Sequence, residues 1–270
     1  NLLKKKKYFK ISKSNFFFKY DRNEAKITSK LSKISDIRIV WGSDETISKI
    51  KNFDTKIKTK NIFFNNRFST CIINSSQFNK CTVKNKDKII IKFYNDVFPF
   101  DQNACTSPHL VVWVGNNSDT LKAKKCFWKK LSMLVQKKYK LNIAFSSKKF
   151  SYANELLAND NLPIKNFSNF DNLIYVTCLK NINFDLYKSF RKFGFFFEYD
   201  AKTFDILKKL NSPKYQTLTY FGFDDLLLRK ELNKISFFDR IVPIGKSMEM
   251  QFTWDGYDLF SELTRKINLI

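Results

Sequence analysis

Short apolar runs recur along the chain, and stretches that read as helix lie between them. Asp36–Trp41 (DIRIVW), Asn61–Phe64, Thr70–Ile73, Leu110–Val114 (LVVWV), Leu173–Thr177, Gly194–Tyr199 and Leu218–Phe221 are runs of four to six residues that read as strands. Asn15–Tyr20 (NFFFKY) reads as one more. Glu24–Lys33, Ser43–Phe53, the long amphipathic Leu121–Tyr139, Phe204–Leu210 and Leu226–Leu232 read as helices. Strands alternating with helices predict an α/β fold. A hydrophobic fraction of 43%, with thirty phenylalanines in 270 residues, supplies a sizeable core and excludes disorder. No apolar stretch approaches the length of a transmembrane helix, so no membrane span is expected.

Forty-nine basic against twenty-five acidic residues give a net charge of +24. Such a balance attracts polyanions in general: nucleic acid, anionic lipid or phosphorylated small molecules. The basic residues are spread along the chain, with no long block after Lys4–Lys7. The abundance of Lys, Asn, Ile and Phe also matches a genome rich in A and T. Composition is therefore favoured over a dedicated nucleic-acid surface as the source of the charge. Five cysteines without a CxxC pair, and one histidine, give no zinc-ligand pattern, so no metal is expected. An odd, widely spaced set fits reduced thiols in the cytoplasm rather than a disulfide framework.

Three segments carry residue types suited to chemistry. In Trp41-Gly42-Ser43-Asp44-Glu45-Thr46, a strand feeds a helix through a Gly-Ser turn. Backbone N–H groups at such a helix start suit a phosphate. One glycine turn is also an ordinary capped helix, with Ser43 or Asp44 as the cap. In Asp101-Gln102-Asn103-Ala104-Cys105-Thr106-Ser107-Pro108-His109, a cysteine sits in a polar loop before an apolar strand. A nucleophilic cysteine must be reachable, and Ala104, Thr106 and Ser107 are small enough to leave room. Cys71 and Cys178 lie in apolar strands instead, and Cys126 in a Lys-rich helix. His109 is either a base for Cys105 or a structural ring, with Pro108 between them. In the third segment, Asp239–Lys246 followed by Trp254–Leu259, Asp255-Gly256 is a turn signal. Arg240 and Lys246 are either phosphate ligands or, more commonly, charges on a solvated face.

DIRIVWGSDETI (36–47), FPFDQNACTSPHLVVWVG (98–115), YQTLTYFGF (215–223) and DRIVPIGKSMEMQFTWDGYDL (239–259) occur in that order. Together they resemble the LuxC-type acyl-CoA reductases, a branch of the aldehyde dehydrogenase superfamily, from about residue 15 to the end. The resemblance implies a family fold in which residues 1–64 are the remainder of a Rossmann-like cofactor domain and residues 65–270 form the catalytic domain. It implies that Cys105 takes the acyl group as a thioester, with Asn103, Ala104 and Thr106 around the substrate and its oxyanion. It implies that Gly42 and Ser43 lie beside the dinucleotide, that NADPH is the cofactor and that the product is a fatty aldehyde. The implied substrates are acyl-CoA or acyl-protein thioesters. Further copies of the chain, or acyltransferase or synthetase subunits, are the implied partners. Hydrolytic relatives carry a water-activating Glu in the segment matching Phe63–Ser69 (FFNNRFS), where this chain has no carboxylate. The chain corresponds to roughly the C-terminal two-thirds of a family member. Two readings stand beside this one: a basic nucleic-acid- or ribosome-associated protein, and an inactive relative serving as a partner subunit.

Overall fold

In the computed structural model, which describes residues 5–158, 162–232 and 237–268, most of the apolar runs are strands of one sheet. The chain divides into two compact units, Asn1–Asn65 and Asn66–Ile270.

The first unit contains α1 (Phe9–Ser14), α2 (Ala25–Ile34), β1 (Ile37–Trp41), α3 (Asp44–Lys51) and β2 (Lys60–Phe64). β1 and β2 pair in parallel, Ile37 opposite Lys60 through Trp41 opposite Phe64, with α3 in the connection. Parallel neighbours need such a crossover. Ser43 caps α3, its Oγ accepting the Thr46 N–H at 3.2 Å. Asn15–Tyr20, expected as a strand, is not one: Phe16, Phe17 and Phe18 are 76%, 84% and 69% exposed. Aromatic β-propensity describes a side chain that fits a half-buried pleat, and no described strand pairs with this run.

The second unit contains β3 (Phe68–Asn74), α4 (Ser75–Lys80), α5 (Val83–Val97), β4 (Pro108–Val114), α6 (Asn117–Lys138), α7 (Ile143–Leu157), β5 (Ile164–Phe170), β6 (Ile174–Leu179), β7 (Phe195–Ala201), β8 (Tyr215–Phe221), α8 (Asp225–Leu232) and β9 (Arg240–Pro243). The hairpin strands β10 (Thr253–Trp254) and β11 (Tyr257–Asp258) and the short α9 (Leu259–Glu262) follow. The sheet order is β5-β6-β7-β4-β3-β8-β9, parallel except at the β5–β6 pair. Side chains alternate across it with period two. Leu110, Val112, Phe195 and Phe197 face one core with Leu156 of α7 and Leu207. Cys71, Val111, Trp113 and Phe196 face the other, against Phe93 of α5 and Phe127 and Leu131 of α6. β4, buried at every position, is the central strand, and its N-terminal end receives the 101–107 loop. Phe204–Leu210, expected as a helix, is a 3₁₀ helix.

One buried charge has a consequence for stability. Lys149 of α7 is fully buried, its Nζ donating to the Phe193 carbonyl at 2.9 Å, 4.8 Å from the Tyr175 ring centroid. Burial pulls its ammonium down to about 7. An unfolded lysine titrates near 10.4, so between about pH 7 and pH 10 the unfolded chain binds the extra proton. Stability therefore rises with pH across that window. Urea unfolding should show this rise in the parent protein and not in Lys149→Met. Equal pH profiles would remove Lys149 as its source.

Candidate active site

The loop before β4 is fixed from several sides. A single 3₁₀ turn, Phe98–Phe100, ends α5 and hands over to Asp101 and Gln102, which take φ of +52° and +58°. Left-handed non-glycine residues cost about 1–3 kcal/mol each and persist where the surroundings over-determine them. Here the surroundings do. The buried Gln102 amide donates to the Pro108 and Phe195 carbonyls at 3.0 and 3.1 Å and accepts the Gly194 and Phe195 N–H groups, both at 3.0 Å. The Gln102 N–H reaches the Val97 carbonyl at 2.8 Å, and the Asp101 carboxylate accepts the Tyr139 hydroxyl at 2.7 Å. Gly194, at φ +79°, brings its backbone against the Leu173 carbonyl, where a Cβ would collide.

Cys105 follows, half-buried, while Asn103 is exposed and Thr106 buried. The Cys105 carbonyl accepts the Ser69 hydroxyl at 2.7 Å, and the Ser69 oxygen accepts the Thr217 N–H at 3.2 Å. β3 and β8 thereby hold the peptide on the C-terminal side of Cys105. The Ala104 carbonyl accepts the Ser107 N–H at 2.9 Å, and the Ser107 hydroxyl donates to the Asp96 carbonyl at 2.8 Å. The Asn103 amide is engaged locally, donating to the Phe100 and Asp101 carbonyls. The Thr106 hydroxyl meets the Met248 sulfur at 3.3 Å.

Of the other cysteines, Cys81 at the end of α4 and Cys126 in α6 are also half-buried, whereas Cys71 and Cys178 are buried in strands. Burial raises the Cys71 thiol well above its ordinary range and pushes Cys178 up to about 11. No disulfide joins the five. A cavity of about 730 Å³ between α6 and β5–β7, lined in part by Trp128, Cys178 and Glu198, includes none of the sequence-predicted site residues.

His109 is a structural ring. It stacks on Phe190 at 5.3 Å and meets the Phe68 edge at 5.6 Å. Its Nδ1 donates to the Ser107 carbonyl at 2.9 Å, its Nε2 is buried without a partner, and burial holds the imidazole down to about 3. So weak a base is unsuited to activating a thiol at neutral pH.

The C-terminal motif builds the wall behind Thr106. Arg240 is buried rather than solvated: its guanidinium donates to the Ser247, Lys246 and Glu249 carbonyls at 2.5, 3.1 and 2.5 Å and lies 4.6 Å from the Trp254 ring centroid. Lys246 pairs with Glu249. Buried Asp96 accepts the Gly245 and Ser247 N–H groups at 2.6 and 3.1 Å, and desolvation raises its carboxyl. The charges of this motif thus hold the 244–249 turn that carries Met248. Asp255 and Gly256 form the expected turn, both at positive φ, between β10 and β11.

Asn103, Ala104, Cys105 and Thr106 therefore share one loop of the second unit, and Gly42 and Ser43 form the β1–α3 turn of the first. Ser69, Asp96 and Gln102 shape the site without having been singled out as site residues. Gln102 lies inside a quoted motif, but nothing local marks a glutamine whose amide will serve the Pro108 carbonyl and three backbone groups of Gly194 and Phe195. Asp96 closes the apolar face of a helix that the sequence reading had not assigned.

Comparison with known proteins agrees with this architecture. Aldehyde dehydrogenase 21 from Physcomitrella patens, in complex with the reaction product succinate, superposes with a TM-score of 0.58 at 12% identity, over 85% of this chain and 48% of its own. Methylmalonate-semialdehyde dehydrogenase from Oceanimonas doudoroffii gives 0.55 at 13%, over 83% and 48%. A betaine aldehyde dehydrogenase variant from Staphylococcus aureus, in complex with NAD+, gives 0.55 at 14%, over 86% and 49%. At such identities the likeness establishes the fold, and the chain spans about half the length of these enzymes. No curated protein matches the sequence. The sequence model of the acyl-CoA reductase (LuxC) family matches residues 14–265, which include the Gly42–Ser43 turn, the Cys105 loop and the C-terminal clamp, and the chain belongs to that family.

Proposed function

We propose that this chain is the acyl-accepting part of a nicotinamide-linked reductase that converts an acyl-CoA or acyl-protein thioester to the aldehyde. The observation that carries this reading is the placement of Cys105. It is half-buried in an over-determined loop at the entry to the central strand, while Cys71 and Cys178 are buried strand residues whose thiols burial raises, and Cys126 is on a helix. In this reading the Cys105 sulfur attacks the thioester carbonyl. A new C–S bond forms, and the bond to CoA or to the carrier breaks as the thiolate leaves. Backbone N–H groups of the loop, that of Cys105 among them, hold the oxyanion. Ser69 fixes the Cys105 carbonyl so that this peptide need not reorganise during attack. Asn103, Ala104 and Thr106 border the acyl group.

Gly42–Ser43 fits a dinucleotide. The turn lies at the C-terminal end of a parallel strand, where ligands of open α/β sheets bind. A Cβ on Gly42 would come within 3.0 Å of the Thr46 Cγ2, so the backbone there stays bare. A bound nicotinamide cofactor supplies hydride for the reduction. NADPH and a fatty acyl group are the readings that follow from the family, and residence in the cytoplasm is the reading that follows from the cysteine pattern. The Asn1–Asn65 unit is then the remainder of the cofactor domain.

Incubation with an acyl-CoA in the absence of reductant, followed by peptide mass spectrometry, tests the assignment. The acyl mass is expected on the peptide containing Cys105. Acylation of Cys71 or Cys126, with Cys105 unmodified, would overturn it.

A further inference from the structure

The net charge is unevenly placed. Residues 1–20 contain seven lysines and no acidic residue or arginine, a charge of +7, against +17 in the other 250 residues. Tyr8, Phe9, Phe16, Phe17, Phe18 and Tyr20 interleave with these lysines. In the structure residues 5–20 of this segment lie on the surface. Phe9 and Ile11 are 57% and 51% exposed, the Phe16–Phe18 triplet is more exposed still, and Lys5, Lys7, Lys10, Lys13 and Lys19 are all exposed. Among the described residues no carboxylate pairs with these lysines, and the recorded contacts of Lys7 and Lys13 are with the Tyr8 and Phe9 rings.

We infer that residues 5–20 form a peripheral docking surface for an anionic lipid bilayer. Each lysine near a negatively charged leaflet contributes about 1 kcal/mol. Apolar side chains beside such a basic face enter the headgroup–acyl boundary. Contiguous exposed apolar side chains on a soluble surface mark an interaction site, and lysines surround these on both sides in sequence. The composition favours lipid over nucleic acid. Nucleic-acid readers use the planar arginine fork for bidentate contacts, and arginine is absent here. Phenylalanine can stack on an unpaired base, but three consecutive exposed phenylalanines lose water most favourably in hydrocarbon. The surface lies on a membrane and does not cross it, since no described helix is long and apolar enough to span one. Residues 5–13 precede the residues matched by the family, so the most basic part of the surface belongs to this chain rather than to the family pattern.

The test is vesicle flotation of the whole 270-residue chain. One vesicle set is phosphatidylcholine alone, and the other contains about one third phosphatidylglycerol, which provides the negative surface potential. Binding is expected to the anionic vesicles only, and to be lost near 1 M salt, where the Debye length falls to about 3 Å. A Phe16→Ser, Phe17→Ser, Phe18→Ser variant and a separate Lys10→Glu, Lys13→Glu variant should each weaken binding at least about tenfold. These side chains are exposed, so circular dichroism should show both variants folded. Absence of binding to anionic vesicles would overturn the inference. So would equal binding to neutral vesicles, unchanged affinity in both variants, or tighter binding to an RNA or DNA oligonucleotide at equal salt. Acyl transfer to Cys105 plays no part in this assay, so its outcome leaves that reading untouched.

Discussion

If the proposed acyl-enzyme forms, Asn66→Glu should divert it to water, releasing the free acid in place of the aldehyde. By the resemblance, the Phe63–Ser69 segment corresponds to the place where hydrolytic relatives hold a general base, and it contains no carboxylate. The structure links the end of this segment to the Cys105 loop, because Ser69 donates to the Cys105 carbonyl. The Asn66 side chain is exposed and that of Asn65 half-buried, so a glutamate at 66 adds a carboxylate without sealing a charge in the core. A positioned base contributes about 10²–10⁴-fold to proton transfer, and hydrolysis of the acyl-enzyme should rise within that range in Asn66→Glu or Asn65→Glu. Single-turnover assays with and without NADPH, quantifying acid and aldehyde, separate the two routes. A parent enzyme that already hydrolyses its intermediate as fast as it reduces it would defeat the argument from the missing carboxylate.

Arg67→Met should cost the Asn66–Ile270 unit about 3–5 kcal/mol of stability, the usual penalty for breaking a buried ion pair from one side. The Arg67 guanidinium pairs with Asp239 and Asp255 and donates to the Tyr215 carbonyl at 2.7 Å. It joins the start of β3 to two stretches of the C-terminal motif. Burial raises the Asp255 carboxyl above the ordinary carboxylate range even though Arg67 and the Gln216 amide, at 2.8 Å, act to lower it. Without the arginine, Asp255 loses its cation and keeps its burial. Adding Asp255→Asn to Arg67→Met should therefore restore part of the loss, since the amide carries no charge to desolvate. Urea unfolding of the two single variants and the double variant gives the coupling. A loss below about 1 kcal/mol for Arg67→Met, typical of exposed pairs, would show that the clamp contributes little.

The central strands were legible because they are continuous apolar runs closed by glycine or polar turns. Asp36–Trp41 and Leu110–Val114 correspond to β1 and β4 within one or two residues, and the Ser43 cap and the Asp255–Gly256 turn formed as read. α5 was not legible. Its three consecutive isoleucines, Ile89–Ile91, look like a strand in a short window, and the helical face emerges only when Ile89, Ile90, Phe93 and Val97 are taken together. α7 hides a different way: its buried positions include a lysine, and serines and lysines crowd the rest. β5 is an edge strand of polar and aromatic residues whose identity depends on pairing with β6. At the site, the cysteine stood out by its loop. Its supports, Ser69, Gln102 and Asp96, are ordinary residues locally and acquire their roles from partners far along the chain. Arg240 misled because a charge in a sequence suggests solvent, whereas this one is spent on three carbonyls.

The Gln102 amide also sets an order of events. Its partners include Gly194 and Phe195, more than ninety residues downstream. A ribosome adds about 5–20 residues per second, so for several seconds Cys105 exists on a growing chain whose loop has no template. Closing contacts of such long sequence separation is slow for the same entropic reason. The thiol is therefore made early and its shaped surroundings late. The Cys105 loop reaches its final shape only after β7 has docked beside β4 and Thr217 of β8 has met Ser69, so its geometry reports assembly of the sheet on both sides.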